Sequence, residues 1–361
     1  MVPQTKELKW HKMTETFRKE ILTGVYPVGQ RLPSDDIIAK TFCINKRTVA
    51  NGMSQLVAEG LITRAPGRGS VVIRQEIISR HTNAVSCMTF CKGEIYENME
   101  SEITEQALKR GFYPVWIPPS LYTLGIKEFQ NKPLYQFFEH SINSMPHGMV
   151  VNGERFIPYD MLERNLAKVG RLVFVCNYTH IKELPAKYVL IDYEAAAKKV
   201  VSLFLAKGHK KMTFITSPIT NINKYKNKPP QYQYHLALKK VCQQMRMEYD
   251  EEIPKRLWNG VEVKETFQLL KQRKITASAL CFDSILKVHY KNILEEIQLK
   301  IPEDLSVIGF YDTDKENVTT LNIQERLLAS VAMEMLFEDC NETKKVYVPP
   351  VLIERNSVIS I

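Results

Sequence analysis

Residues 45–73, NKRTVANGMSQLVAEGLITRAPGRGSVVI, decide how the N-terminal part of this chain folds. Asn45 is a helix-capping residue type. Val49, Met53, Leu56 and Val57 share one face of the helix it opens, and Gly60 stands where a C-terminal cap belongs. Leu61-Ile62-Thr63-Arg64 and Ser70-Val71-Val72-Ile73 then read as two strands, joined through Ala65-Pro66-Gly67-Arg68-Gly69 as a hairpin. Upstream, Ser34 is a good N-cap with Asp35 and Asp36 in the first turn, which predicts a short helix to about Phe42. Trp10, Met13, Phe17 and Ile21 recur at helical spacing before Gly24. Helix, helix, short turn, helix and hairpin make a winged helix-turn-helix. In that unit the third helix enters the major groove, which makes Asn45, Lys46, Arg47 and Thr48 the expected contacts to bases and phosphates. Arg31, Ser34 and Arg64 flank them, and Arg68 and Gly69 lie at the wing.

The charge distribution fits a polyanion binder. Residues 1–76 hold twelve Lys and Arg against seven Asp and Glu, so a short segment carries more than half of the net +9. The whole chain of 361 residues is too long for one ordinary core, and 44% apolar with 25% charged residues is a globular composition. No apolar run is long enough to span a bilayer and Met1 to Lys12 is polar, so a cytoplasmic protein with no membrane partner is expected. Seven cysteines scattered from Cys43 to Cys340 make no disulfide framework, and the Cys87/Cys91 spacing matches no common zinc pattern. Nucleophile-elbow, HExxH and phosphate-loop motifs are missing, so neither an enzyme nor a cofactor or metal is expected.

The string Ile21-Leu22-x-Gly24-x-Tyr26-x-x-Gly29-x-x-Leu32-Pro33-Ser34-Asp35 resembles the DNA-binding domain of the GntR family of bacterial regulators. Ala39, Phe42, Thr48-Val49, Leu56, Gly60-Leu61-Ile62 and Gly67-x-Gly69 extend the resemblance at fixed spacing. Two departures stand out. The family often has arginine where this chain has Asp36 and Ala50. Losing two cations and gaining a carboxylate predicts weaker phosphate binding or an altered operator preference.

Residues 77–83 are polar and aperiodic, and are expected to link this domain (1–76) to the remainder (84–361). From Ala84 onward short apolar runs alternate with amphipathic stretches, which implies parallel sheets flanked by helices, an α/β architecture. Leu205-x-x-Gly208-His209-x-x-x-x-Phe214-Ile215, Ile301–Phe310, Thr319-Thr320-Leu321 and Pro349–Ser357 resemble the effector domain of the LacI family. That resemblance implies the two-lobed fold of periplasmic sugar-binding proteins. Its lobes are expected at about 84–187 with 320–337, and about 188–319 with 346–361. A winged helix of one family on a sensor of the other resembles arabinose-type repressors. The combination implies a homodimeric regulator, expected to be a repressor, with a double-stranded DNA operator and a sugar or sugar derivative as effector.

Ligands of such sheets sit at the carboxyl ends of strands, with aromatic faces for rings and short polar side chains for hydroxyls. Asp283, after the strand ending at Phe282, matches the family aspartate that binds a sugar hydroxyl. Asn177 follows another strand, Trp258 is placed after a short one, and Tyr96 and Asn152 come from the first lobe. His209 is expected to be structural. The family arginine ahead of Tyr234 is missing from Pro229–Gln233, the asparagine before Asp283 is Phe282, and Tyr311 replaces an aspartate. An ordinary hexose or pentose site is therefore in question, and basic Lys224–Lys228 points either to an acidic ligand or to a solvated loop. Two other readings stay open: a body that binds a protein partner instead of a small molecule, and a pyridoxal-phosphate enzyme-like domain. The roughly 280 residues beyond the linker argue against the second.

Overall fold

A computed structural model describes residues 9–65, 69–74, 82–88, 96–118, 132–153, 157–217, 229–259, 262–338 and 342–361. The N-terminal head is built from α1 (Lys9–Leu22), α2 (Asp35–Thr41), α3 (Lys46–Ala58), β1 (Ile62–Ala65) and β2 (Gly69–Val72). Ser34 and Asn45 cap α2 and α3, accepting from Ile37 N and Thr48 N respectively. The strands pair antiparallel with Ile62 opposite Val72, and Arg31 bridges to Val71, which adds the chain ahead of α2 to the edge of the wing. Met13, Phe17, Ile21, Ile38, Val49, Met53, Leu56 and Ile62 close the core beneath the hairpin. Gly52 is where α1 and α3 touch: a Cβ there would lie 2.3 Å from Met13 Cε and 2.5 Å from Thr14 Oγ1. A residue with a Cβ would have to push the end of Met13 and the Thr14 hydroxyl aside.

The body has two six-stranded sheets. The first is made of β3 (Thr82–Met88), β4 (Tyr113–Trp116), β5 (Pro146–Gly153), β6 (Arg171–Tyr178), β7 (Lys187–Ile191) and β13 (Lys345–Val348). Its order is β13-β7-β6-β5-β3-β4 and every pair is parallel. Alternate residues split its faces. Val150, Val173 and Val175 pack with α4 (Glu97–Lys109) and α13 (Glu325–Phe337), while Met149, Val151 and Phe174 pack with α5 (Lys132–Asn143) and α6 (Tyr159–Arg164). The second sheet holds β8 (Lys211–Ile215), β9 (Glu248–Tyr249), β10 (Ala277–Leu280), β11 (Ser306–Phe310), β12 (Thr320–Asn322) and β14 (Val351–Ile353), ordered β14-β12-β11-β10-β8-β9. Only β14 runs antiparallel to its neighbour. Around it lie α8 (Tyr193–Ala206), α9 (Pro230–Met245), α10 (Glu252–Asn259), α11 (Val263–Gln272) and α12 (Lys291–Glu296).

The chain crosses between sheets after β7, after β12 and after β13. Each crossing leaves the carboxyl end of a strand, so the carboxyl ends of both parallel sheets border one cleft. These crossings shift the expected lobe limits. Residues 188–191 and β13 belong to the first sheet, and β12 belongs to the second. The crossing strands share no composition that marks the switch: β7 (KYVLI) and β13 (KVYV) are mostly apolar, and β12 (TLN) is mostly polar. Thr82 and Asn83, expected in the linker, already form β3, and α5 was not foreseen at all. Residues 77–81 of the linker, Arg68 and Lys224–Lys228 lie outside the described residues. No helix among the described residues is long and apolar enough to cross a membrane.

The head rests on the first lobe where α3 meets α7 (Leu166–Val169). Trp10, His11 and Gln55 face Arg171, Pro185 and Ala186 there across a cavity of about 80 Å³. Replacing Gly52 by valine is expected to overpack the α1–α3 contact and cost about 1–3 kcal/mol of head stability. Chemical unfolding followed by circular dichroism measures this, and an unchanged midpoint would contradict it.

Candidate functional site

Two surfaces carry the residues that the sequence singles out. On the head, the amino end of α3 is solvent-facing, with Asn45, Lys46 and Arg47 all exposed. Asn45 Oδ1 accepts from both Thr48 N and Thr48 Oγ1 at 2.8 Å, so this side chain and the Thr48 hydroxyl hold the helix start in shape. Ser34 does the same for α2 through Oγ, which accepts from Ile37 N at 3.4 Å. Capping is therefore the visible task of three expected DNA contacts. The cations divide into two groups. Arg64 Nη2 donates to both oxygens of Asp35 (2.7 and 2.5 Å), and Lys46 Nζ lies 2.7 Å from Asp36 Oδ1. Arg31 and Arg47 are exposed and make no ion pair among the described residues. Gly69 begins β2 at φ +73°.

In the body, the structure brings Tyr96 and Asn177 together and adds a residue that the sequence reading had passed over. Asn177, next to last in β6, is 1% exposed. Its Oδ1 accepts from Tyr193 Oη at 2.6 Å, and its Nδ2 donates to Tyr96 Oη at 3.5 Å. Tyr193 is the first residue of α8, immediately past the first crossing, so this bond ties the two lobes across the cleft. Tyr96, at φ +73° before α4, also meets Tyr311 of the second lobe edge-on, with ring centroids 6.0 Å apart. Gln233 Nε2, in the first turns of α9, reaches Tyr178 O of the opposite lobe at 2.7 Å. Beside Tyr193 a groove of about 820 Å³ opens between the lobes, walled by Tyr178, Tyr188, Lys198, Lys345 and Tyr347. Tyr193 was findable, since it directly follows the helix-capping Asp192 at a strand end.

Asn152 is fully buried near the end of β5, and neither its Oδ1 nor its Nδ2 has a partner among the described residues. Gln231 Oε1 and Trp258 Nε1 are likewise buried without a partner among the described residues. A buried amide without partners is costly, and native proteins rarely leave one unexplained. The groove itself is walled by Tyr178, Tyr188, Tyr193 and Tyr347, with Asp192, Lys198 and Gln233 among its polar residues, the mixture that suits a hydroxylated ring.

Two expectations change. Asp283 is 3% exposed and both of its oxygens are used internally. Oδ2 accepts from Thr313 N (2.5 Å) and Asp314 N (3.0 Å), and Oδ1 from Thr320 Oγ1 (2.5 Å). Burial pushes its carboxyl up and these donors oppose that shift. A Cβ at Gly309 would lie 1.9 Å from Oδ1, so the fit is close. Asp283 staples the loop between β11 and β12 to the end of β10, and its carboxylate oxygens are taken up by the protein itself. Trp258 sits on α10 instead of following a strand, and packs against Tyr232 and His235 with ring centroids at 5.5 and 4.8 Å. The sequence around it, Glu252 to Asn259, holds helix formers and buries Ile253, Leu257 and Trp258 on one face, which accounts for the helix. His209 is structural as expected: Nδ1 lies 2.8 Å from Thr276 Oγ1 and Nε2 lies 3.1 Å from Ile359 O.

Head and body together define a class of protein: a winged-helix DNA-binding domain on a periplasmic-binding-protein-like domain. Residues 12–72 match the family described as bacterial regulatory proteins, gntR family, and residues 201–358 match a periplasmic binding protein-like domain. Over 98% of its length the chain is similar, at 20% identity and across 98% of the relative, to the arabinose metabolism transcriptional repressor of Geobacillus stearothermophilus. It is 33% identical over 75 residues to the uncharacterized HTH-type transcriptional regulator YdfD of Bacillus subtilis, which covers 20% of this chain and only 16% of that relative. The transcriptional regulator CelR in its cellobiose complex shares the fold with a TM-score of 0.59 at 14% identity, covering 91% of this chain and 100% of CelR.

Arg47→Ala is expected to weaken DNA binding about evenly across sequences and to lower the salt dependence by about one charge. Fluorescence anisotropy at several salt concentrations reads both, and an unchanged salt slope would remove Arg47 from the phosphate contacts.

Proposed function

We propose that this protein is a transcriptional repressor whose head binds operator DNA and whose cleft binds a sugar or sugar derivative that alters that binding. The observation that carries the effector half is the fully buried amide of Asn152 near the carboxyl end of β5, which has no hydrogen-bond partner among the described residues. A ligand hydroxyl can donate to its Oδ1 and accept from its Nδ2. The sugar complex of CelR, which shares the fold, supports the same class of ligand. The DNA half rests on the gntR-type head and on the exposed cations Arg31 and Arg47. Recognition of two half-sites calls for a homodimer. Leu108, Tyr113 and Val115, exposed on α4 and the edge strand β4, supply apolar surface for one. Regulation of transcription in the cytoplasm, without an enzymatic step, completes the reading.

A body that binds a protein partner is the second reading. Contacts between Tyr96 and Tyr311 and between Asn177 and Tyr193 already fill part of the cleft, which favours it. Thermal unfolding of the full-length protein against sugars, sugar acids and sugar phosphates separates the two, because a ligand specific to the native state raises the midpoint. A shift that disappears in Asn152→Ala supports the sugar sensor. A shift that survives in Asn152→Ala removes this amide from the site, and no shift with any compound contradicts the sugar reading.

A further inference from the structure

The head carries an arrangement that the general DNA-binding role leaves unused. Asp35 and Asp36 open α2, and each reaches a cation on a different DNA-facing element: Arg64 on the wing strand and Lys46 at the start of α3. The Lys46–Asp36 pair is the more exposed, with side chains 67% and 64% accessible, and nothing in the fold requires it. Next to it Arg47 points out with no ion pair among the described residues. A DNA backbone approaching this ridge meets a carboxylate beside the amino end of the reading helix, and phosphate repels it. A base edge does not. In the major groove a G·C pair places the O6 acceptor of guanine beside the N4 donor of cytosine. A lysine ammonium 2.7 Å from a carboxylate oxygen offers the complementary order, donor beside acceptor.

We propose that Asp36 and Lys46 form a two-group reader of one G·C pair in each half-site, with Asp36 accepting from cytosine N4 and Lys46 donating to guanine O6. The inference rests on the amino end of α3 being the DNA-reading surface. Asp36 is then a specificity-determining residue that costs general affinity, because its charge opposes the phosphates whatever the sequence. Asparagine at the same position both donates and accepts, which suits adenine N6 and N7.

The test is selection of bound duplexes from a randomised pool by the full-length protein, followed by anisotropy titrations with wild type, Asp36→Ala, Asp36→Asn and Arg47→Ala. Circular dichroism checks that each variant keeps its fold. Wild type is expected to enrich one G·C position per half-site. Asp36→Ala is expected to lower discrimination there about tenfold while binding unrelated DNA more tightly. Asp36→Asn is expected to move the preference toward adenine, and Arg47→Ala to weaken every duplex alike. If Asp36→Ala tightens all duplexes equally and leaves every positional preference intact, the carboxylate is a bystander and the proposal fails while the DNA-binding reading stands. If wild type binds and enriches no duplex, that reading falls and the proposal falls with it.

Discussion

Three covalent crossings between the sheets, after β7, β12 and β13, are the constraint from which the rest of the body follows. They place the carboxyl ends of both parallel sheets against each other. They also restrict relative motion of the lobes to rotation about those segments, the hinge class of conformational change. The Asn177–Tyr193 bond sits immediately beside the first crossing, where a small rotation alters it most directly. The head rests on the first lobe through α3 and α7, so lobe rotation changes where a head lies relative to the second lobe and, in a dimer, relative to its partner head.

The polar groups of the cleft fall into two kinds. Asp283 and Asn177 are satisfied by the protein itself, one within the second lobe and one across the hinge. Among the described residues the amide of Asn152, Gln231 Oε1 and Trp258 Nε1 are buried without a hydrogen-bond partner. The first kind fixes the shape of the cleft. On the head the same division appears in charge. Lys46 and Arg64 are held by acids of α2, while Arg31 and Arg47 face solvent. Attraction to DNA is therefore concentrated on fewer cations than the composition suggests.

Much of this was legible in the sequence because local chemistry decides it. Ser34 and Asn45 cap the predicted helices, Gly60 follows α3 at φ +70°, and the two predicted strands pair as a hairpin whose alternation leaves one apolar face. The strand–helix alternation likewise gave two parallel sheets. What stayed hidden depends on contacts between distant segments. The strands that change lobes share no composition that marks them. Asp283 reads as a ligand residue until Thr313, Asp314 and Thr320, about thirty residues away or more, are seen to occupy it. Asp35 and Asp36 look like helix-start acids, and only the fold shows that they hold the cations expected to meet DNA.

The central claim is that cleft and head are coupled, and reciprocity tests it most directly. The dissociation constant of a selected operator duplex is measured with and without saturating effector, and that of the effector with and without saturating operator. The account predicts two ratios that differ from one and agree with each other, because a coupling free energy acts equally in both directions. Two ratios of one would show a body whose ligand leaves the head unmoved, and would contradict it.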